Sequence, residues 1–470
     1  MRNLLIMRGA PGCGKSTWIE KNNLSAYTLS ADNIRLLFQS PEPGFEKDSL
    51  QISQKNDTDV WALLFELLEK RMERGEFVVV DATHSRRSDF SRYNNLCAKY
   101  RYRRYFVDFS DVPIEVCKAQ NKMRSPEKQV PDRAIDKIYS RLRTQEKTSG
   151  WVEIDKDNPW DSLDVKCLDF NKYEKIHIFG DLHGCNTVLQ EYFKENPYSA
   201  DDYYIFCGDY LDRGIENKEV LEFLIDFSKK DNVYCLAGNH ERTLDDYAND
   251  EDIRSKEFKN HTLPQLIDID KKEIREFYRR LGQLAYFTYN GKRYFITHAG
   301  ISYLPKHLSL LATENMLRGV GDYTTDIDEL WDKNEPDVIQ IHGHRNALGI
   351  DNTARSFNLE GGVEFGGDLK ILQLSKTGEE LIKIKNEVFG TPEETPVVTP
   401  AVPILTQLRN SSDINEKDLG DNIHSFNFTR NVFYEKKWNS LTTHARGLFV
   451  DVEKEKVVAR SYDKFFSITF

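Results

Sequence analysis

Nowhere in its 470 residues does this chain hold an apolar run long enough to cross a bilayer, and its start, MRNLLIMRGAPG, breaks into a glycine loop before a signal-peptide core could form. Both absences predict a cytoplasmic protein without a membrane partner. Cysteine is sparse and scattered: Cys13, Cys97, Cys117, Cys167, Cys185, Cys207 and Cys235 are odd in number and include no C-x-x-C pair. That pattern argues against a disulfide framework or a cysteine zinc site, and predicts mostly buried thiols. An excess of positive charge is missing too. The 65 Lys and Arg face 76 Asp and Glu, so polynucleotide binding has to rest on local patches such as Arg101, Arg103 and Arg104, or the helix carrying Arg133 to Arg143. No internal repeat is found.

What is present is enough apolar material, 39%, for several packed cores, and a length that predicts about three domains. Residues 1–150 alternate strand-like and helix-like segments: LLIMRG, KSTWIEKN, an amphipathic helix closed by Gly75, then EFVVVDA and RYFVDF. Pro131 opens a further helix, where its missing N–H is harmless. Such alternation predicts a parallel sheet with helices on both faces. A second region, 170–388, repeats another theme: short apolar strands ending in Asp, Asn and His, with Asn290-Gly291 marking a hairpin. Proline-rich residues 389–403 predict a linker. A short third unit covers 404–470, making the chain a multidomain α/β protein.

In GAPGCGKST, Gly9, Gly12 and Gly14 let the backbone around Cys13 turn its N–H groups toward phosphate oxygens at the start of a helix. Lys15 brings a full charge to the transferred phosphoryl group, and Ser16, followed by Thr17, can ligate the magnesium ion of ATP or another NTP. SADNIR sets Asp32 and Arg35 one helical turn apart, a carboxylate able to take a hydroxyl proton beside a guanidinium able to hold an acceptor phosphate. Ser30 as an N-cap with Asp32 in the first turn accounts for the same residues structurally. Asp81 and Thr83 end a buried strand at the edge where ligands bind. Arg124 lies between two predicted helices, placed for a lid. These residues resemble the 5′-hydroxyl polynucleotide kinases of phage and bacterial RNA repair over about the first 145 residues. The resemblance implies that Asp32 is the general base, Arg35 grips the acceptor and Arg124 stabilises the transferring phosphate; the lid departs from the family in having Lys122 where a second arginine is expected.

Two divalent ions need oxygen and imidazole donors with one ligand shared between them. The second region supplies Asp181 and His183 in GDLHG, Asp209 in GDYLDRG, Asn239 in GNHE, His298 in THAG, and His342 and His344 in HGH; eight of eleven histidines fall between His177 and His344. A lone strand-end histidine reads as structural, but five strand-Gly-ligand segments read as a metal centre. The set resembles the calcineurin-like metallophosphoesterases. That resemblance implies an α/β/β/α sandwich in which Asp181 and His183 hold one ion, Asp209 bridges, and Asn239, His298 and His344 hold the other, with manganese the expected metal and His342 an additional candidate. It further implies that His240 is the general acid, oriented by Asp212, and that Arg213 clamps the phosphate. SFNLEGGVEFGG resembles the corresponding segment of bacterial end-healing phosphatases, with Glu360 in place of aspartate as a substrate or outer residue.

The last sixty residues, rich in aromatics and containing RGLF and ARSYDKFF, resemble the stretch ahead of the nucleotide-accepting lysine in phage-type RNA ligases, without the K-x-[DN]-G itself. A small β-rich packing appendage is the alternative. Together the resemblances imply a bacterial or phage polynucleotide kinase-phosphatase acting on RNA or DNA ends, with the ligase on a longer chain or a separate protein. A kinase and phosphatase pair acting on a metabolite or protein is the rival reading.

Overall fold

Asn3–Arg8 is buried along its whole length, so it has no face to turn to water and occupies the middle of a sheet. In this computed structural model, which describes residues 2–44, 50–144, 150–335, 337–346 and 348–388 plus the backbone of five later strands, Val78–Asp81 flanks it on one side and Arg103–Asp108 on the other. Thr28–Ser30 and Val152–Glu153 complete the five strands, every neighbour parallel. Successive residues of a strand face opposite ways, so Leu4 and Ile6 enter one core and Leu5 and Met7 another. Helix Asp57–Glu73 covers the first with Val60, Leu64, Leu68 and Met72, a stripe repeating every four residues. The parallel α/β sheet read from the alternation is therefore present.

The second region is two five-stranded sheets face to face. Val233–Cys235, Tyr203–Phe206 and Lys175–Phe179 run parallel, and Asp368–Ser375 and Gly378–Lys385 are added antiparallel. The facing sheet orders Ser356–Asn358, Val338–His342, Lys292–Ile296, Ala285–Tyr289 and Leu168–Asp169, with Asn290-Gly291 turning its hairpin. Ile176, Ile178, Ile205, Phe287, Ile296 and Ile341 fill the space between, and helices cover the outer faces. This α/β/β/α order leaves the strands' carboxyl ends, where the ligand-bearing loops begin, at one edge.

Residues 1–390 form one unit. Within it, the Trp160 ring stacks on His307 with centroids 3.6 Å apart, and the Thr313 amide donates to the Gly75 carbonyl at 3.1 Å, joining the two sheet systems. Residues 391–470 form a second unit, whose strands Ile414–Asp418, Ile423–Phe428, Ala445–Asp451, Lys456–Ser461 and Lys464–Thr469 pair antiparallel in chain order. The linker read over 389–403, and the side chains of the ligase-like segment, lie outside the described residues. All seven cysteines are free and only Cys167 is exposed. Among the described residues no helix is long and apolar enough to cross a membrane.

Candidate active sites

The phosphate loop lies between strand Asn3–Arg8 and helix Lys15–Lys21. A side chain on Gly12 would put its Cβ 2.1 Å from the Cys117 carbonyl oxygen, so only glycine lets the loop press against helix Ile114–Lys122. Lys15 is buried, with Nζ donating to the carbonyls of Gly9 at 3.0 Å and Ala10 at 2.9 Å. Ser16 Oγ donates to Asp81 Oδ2 at 3.2 Å. Burial raises the Asp81 carboxyl above its usual range, against the pull of Lys15. A hydroxyl and a carboxylate so placed fit the magnesium ion of a nucleotide.

Gly12, Gly14, Lys15, Ser16 and Thr17 line a cleft of about 560 Å³. Gly9 and Cys13 lie behind it, Gly9 donating its N–H to the Thr83 carbonyl and Cys13 Sγ standing 3.7 Å from Lys15 Nζ. Asp32, Arg35, Asp81, Thr83 and Arg124 line the same cleft. Ser30 does cap helix Ala31–Phe38, accepting from the Asn33 amide at 3.5 Å, so capping and site geometry coexist. Arg35 donates to Asp32 at 3.0 Å and to Asp57 on the neighbouring helix. Its Nε is buried without a partner. Lys122 does not line the cleft. Asn121, which the sequence did not mark, clasps the lid: its side chain donates to the Val130 carbonyl at 2.8 Å and accepts from the Val130 amide at 3.1 Å, closing the loop that carries Arg124.

The second site gathers at the strand ends. Asp209 Oδ2 is surrounded by four imidazole nitrogens: His298 Nε2 at 3.2 Å, His183 Nε2 and His344 Nδ1 at 3.8 Å, and His240 Nε2 at 3.9 Å. Asp181 Oδ2 stands 4.0 Å from His183 Nε2, and Asn239 Oδ1 lies 3.1 Å from His298 Nε2. Two groups of converging donors, one holding His183 and the other His298 and His344, share Asp209. That is the arrangement a bridging carboxylate needs.

Backbone carbonyls set the tautomers. His183 Nδ1 donates to Leu211 O at 2.9 Å and His298 Nδ1 to Cys207 O at 3.0 Å, turning each Nε2 inward; His298 Nε2 faces the Asp209 and Asn239 oxygens, and although burial alone would lower this imidazole, the Asp209 carboxylate raises it. Burial lowers His183 to about 4, with the Arg213 charge adding to it, and lowers His344 to about 4 as well, so both are neutral and able to ligate. Asp181 is the reverse case. Burial, then the charges of Glu360 and Asp209, push its carboxyl well above the ordinary range. Crowded carboxylates beside neutral imidazoles are a donor set that fits divalent cations.

His240 is grouped with His183 and Asp209, but its bonding differs from theirs. Its Nδ1 faces Asp212 Oδ2 at 2.6 Å; although burial alone would lower it, that bond and the charges of Asp209 and Asp212 raise it to about 9. That bonding suits a protonated donor better than a ligand. Arg213 reaches His183 Nε2 at 3.1 Å and Glu364 Oε1 at 2.6 Å. Half of the ten non-glycine residues with positive φ among the described residues are here: His183, Asp209, Asp212, Arg213 and His344. Such strain persists only where surrounding contacts enforce it.

His342 is not brought to the centre: its Nε2 bonds Asp328 at 2.9 Å beneath the site. Glu360 and Glu364 both line the cleft beside the ligands, about 540 Å³ in volume. Glu364 was not singled out in the sequence, and its Oε2 is buried without a partner. Glu241 was also missed. It accepts from the amides of Gly238 at 2.6 Å, Tyr210 at 2.9 Å and Asp209 at 3.0 Å, binding two ligand loops together; its place directly after His240 in GNHE was the available signal. Asn217 accepts from the Asp212 amide at 2.8 Å, and Thr262 donates to Asp212 Oδ1.

Comparison with known proteins agrees with this geometry. Residues 4–144 match the family model described as AAA domain, and residues 174–372 the model described as calcineurin-like phosphoesterase. The chain is similar to bis(5′-nucleosyl)-tetraphosphatase PrpE of Oceanobacillus iheyensis, 25% identical over 42% of this chain and 86% of that protein. It is also similar to serine/threonine-protein phosphatase PP1-delta of Caenorhabditis elegans, 38% identical over 14% of this chain, spanning 22% of that relative's length. A solved protein serine/threonine phosphatase from Saccharomyces cerevisiae, with similarity to human phosphatase PP5, aligns at a TM-score of 0.35 and 15% identity over 48% of this chain and 85% of that one. The chain thus carries a P-loop kinase-like domain followed by a calcineurin-like metallophosphoesterase domain.

Proposed function

We propose that the chain heals broken RNA ends, adding phosphate to a 5′-hydroxyl at one site and removing 3′-phosphate or 2′,3′-cyclic phosphate at the other. The observation that carries the reading is the sharing of one cleft by Asp32, Arg35, Lys15 and Ser16, which sets a base and an acceptor clamp in the same space as a nucleotide phosphate loop. Asp32 takes the proton of the 5′-hydroxyl as its oxygen bonds to the γ-phosphorus of the NTP and the bond to the β-phosphate oxygen breaks. Arg35 and Arg124 offset charge on the acceptor and on the transferring group.

At the second site the phosphorus–oxygen bond to the ribose breaks as water adds, and His240 gives its Nε2 proton to the departing oxygen. Asp212 holds that imidazole in the protonated form, and Arg213 binds the phosphate oxygens. Two divalent ions, manganese the expected metal, held by Asp181, His183, Asp209, Asn239, His298 and His344, would neutralise phosphate charge and acidify the attacking water. The opposed activities suit opposite ends of one break, which a ligase then seals.

The test is incubation of the chain with ATP, magnesium, manganese and an RNA bearing a 5′-hydroxyl and a 2′,3′-cyclic phosphate, with mass analysis of both ends. Gain of 5′ phosphate with loss of 3′ phosphate is expected. Similarity to a tetraphosphatase favours a second reading, hydrolysis of a bis(5′-nucleosyl) tetraphosphate. Cleavage of that compound with both RNA ends untouched would establish it instead.

A further inference from the structure

A third cleft, about 710 Å³, lies at the seam between the P-loop sheet and the phosphoesterase sandwich, away from both sites. Arg2, Arg101, Arg103, Lys166, Arg279 and Arg280 line it, together with the acids Asp161 and Asp164. None of these six cations stands within ion-pair distance of a carboxylate among the described residues, although acidic residues outnumber basic ones across the chain. Several arginines elsewhere, among them Arg8, Arg35, Arg213 and Arg318, do pair with an acid.

Backbone carbonyls hold the guanidinium planes instead. Arg101 Nη2 donates to the carbonyls of Arg279 and Leu281, each at 2.9 Å; Arg2 Nη1 donates to Tyr100 O at 3.0 Å; and Arg280 Nη2 to Ile225 O at 3.1 Å. Carbonyls orient these groups without cancelling their charge, and each guanidinium keeps N–H donors to spare. Arg103, Arg279 and Lys166 are exposed and make no side-chain hydrogen bond. Three half-buried rings, Tyr203, Tyr234 and Tyr286, form part of the wall. Cations, three held by carbonyls and three free among the described residues, beside aromatic rings suit a single-stranded polynucleotide: charge for the phosphodiesters and stacking surfaces for the bases.

We propose that this seam cleft binds the body of the single strand whose ends the two sites process, an inference that rests on the end-healing reading. Anisotropy of a labelled 20-nucleotide RNA tests it, with a 5′-phosphate and 3′-hydroxyl so that neither site has an end to act on. The full chain is compared with Arg103→Ala/Lys166→Ala/Arg279→Ala over a range of salt. The triple variant is expected to bind at least about tenfold more weakly, with the slope of log affinity against log salt reduced by about 2, since each phosphate contact on a single strand contributes about 0.7. Processing of the ends of a tetranucleotide stays unchanged, which shows both sites intact. Equal affinity and slope in the two proteins overturns the proposal, as does displacement of the RNA by polyglutamate at equal charge concentration. Failure of the full chain to process either end of the tetranucleotide would instead overturn the end-healing reading.

Discussion

In the P-loop cleft charged side chains meet mostly opposite charges or carbonyls, whereas at the phosphoesterase strand ends carboxylates also crowd one another, even though Arg213 pairs with Glu364 and His240 with Asp212. Arg35 lies between Asp32 and Asp57, Lys15 folds onto its own loop carbonyls, and Ser16 meets Asp81. Across the sandwich edge, burial and then the charges of Glu360 and Asp209 push Asp181 up, and Glu364 leaves an oxygen unpaired. The backbone differs in the same sense, with positive φ at five functional residues of the second site and, in the first, at glycines alone. On the proposed reading a nucleotide comes and goes, so its cleft must be stable with neighbours standing in for phosphate. Resident ions would permit the opposite design, in which buried like charges, each costing several kcal/mol when unpaired, are held together by rigid loops.

Substituting one centre at a time gives the largest test of this contrast. Asp209→Asn removes the carboxylate that both ligand groups share, and phosphate release from a 3′-phosphorylated oligonucleotide is expected to fall about 10⁴-fold, the equivalent of several kcal/mol of transition-state stabilisation. Phosphorylation of the 5′ end should be untouched. Asp32→Asn is the mirror experiment. Loss of the proton acceptor should slow 5′ phosphorylation about 10³-fold and leave phosphate release intact. Loss of both activities from either single substitution, in protein whose thermal unfolding is unchanged, would mean the two centres are not independent.

His240 sharpens the comparison further, because it separates an acid from a ligand within one site. His240→Asn should slow release of an alkoxide by about 10²-fold but hardly affect an aryl phosphate, whose leaving group needs no proton. A ligand would be needed for both substrates. The acid form is lost as pH rises through its pKa, so activity on the alkyl ester should decline above about pH 9 in the native chain. Asp212→Asn removes the group that raises His240, and the alkaline limb should then move to lower pH. An unmoved limb assigns the titration to another group.

Much of this was legible because chemistry at strand ends leaves a local trace. An apolar run, a glycine and then Asp181, Asp209 or Asn239 marks both the element and its ligand, and the P-loop places Lys15 and Ser16 by spacing alone. Partners that arrive from afar leave no such trace. Asp57 reaches Arg35 from 22 residues away, Asn217 and Thr262 hold Asp212 from 5 and 50, and Asp328 claims His342 from 14, which is why that histidine read as an additional ligand. Glu241 drew no reading beyond its place after His240 in GNHE, since the three amides that converge on it come together only in the fold. The seam cleft was half visible: Arg101 and Arg103 stood out, but Arg2, Lys166, Arg279 and Arg280 join them only once the two sheet systems meet.

Glu364 provides the finest test, because it sets a negative charge directly against Arg213, the proposed phosphate clamp. With Arg213 Nη1 at 2.6 Å and its other oxygen unpaired, the carboxylate weakens the pull of the guanidinium on a second negative charge. A phosphomonoester carries that second charge near neutral pH; a cyclic phosphodiester does not. Glu364→Gln keeps a hydrogen-bond acceptor for Arg213 while removing the charge. KM for a 3′-phosphomonoester should fall several-fold, KM for a 2′,3′-cyclic phosphate should change less, and kcat for both should hold within about twofold, since a charge pair at an effective dielectric near 20 is worth a few kcal/mol before screening. Equal changes for the two substrates would show that Glu364 only positions Arg213. A selective gain for the monoester would show that this site, unlike the P-loop cleft, uses an unbalanced charge to choose what it binds.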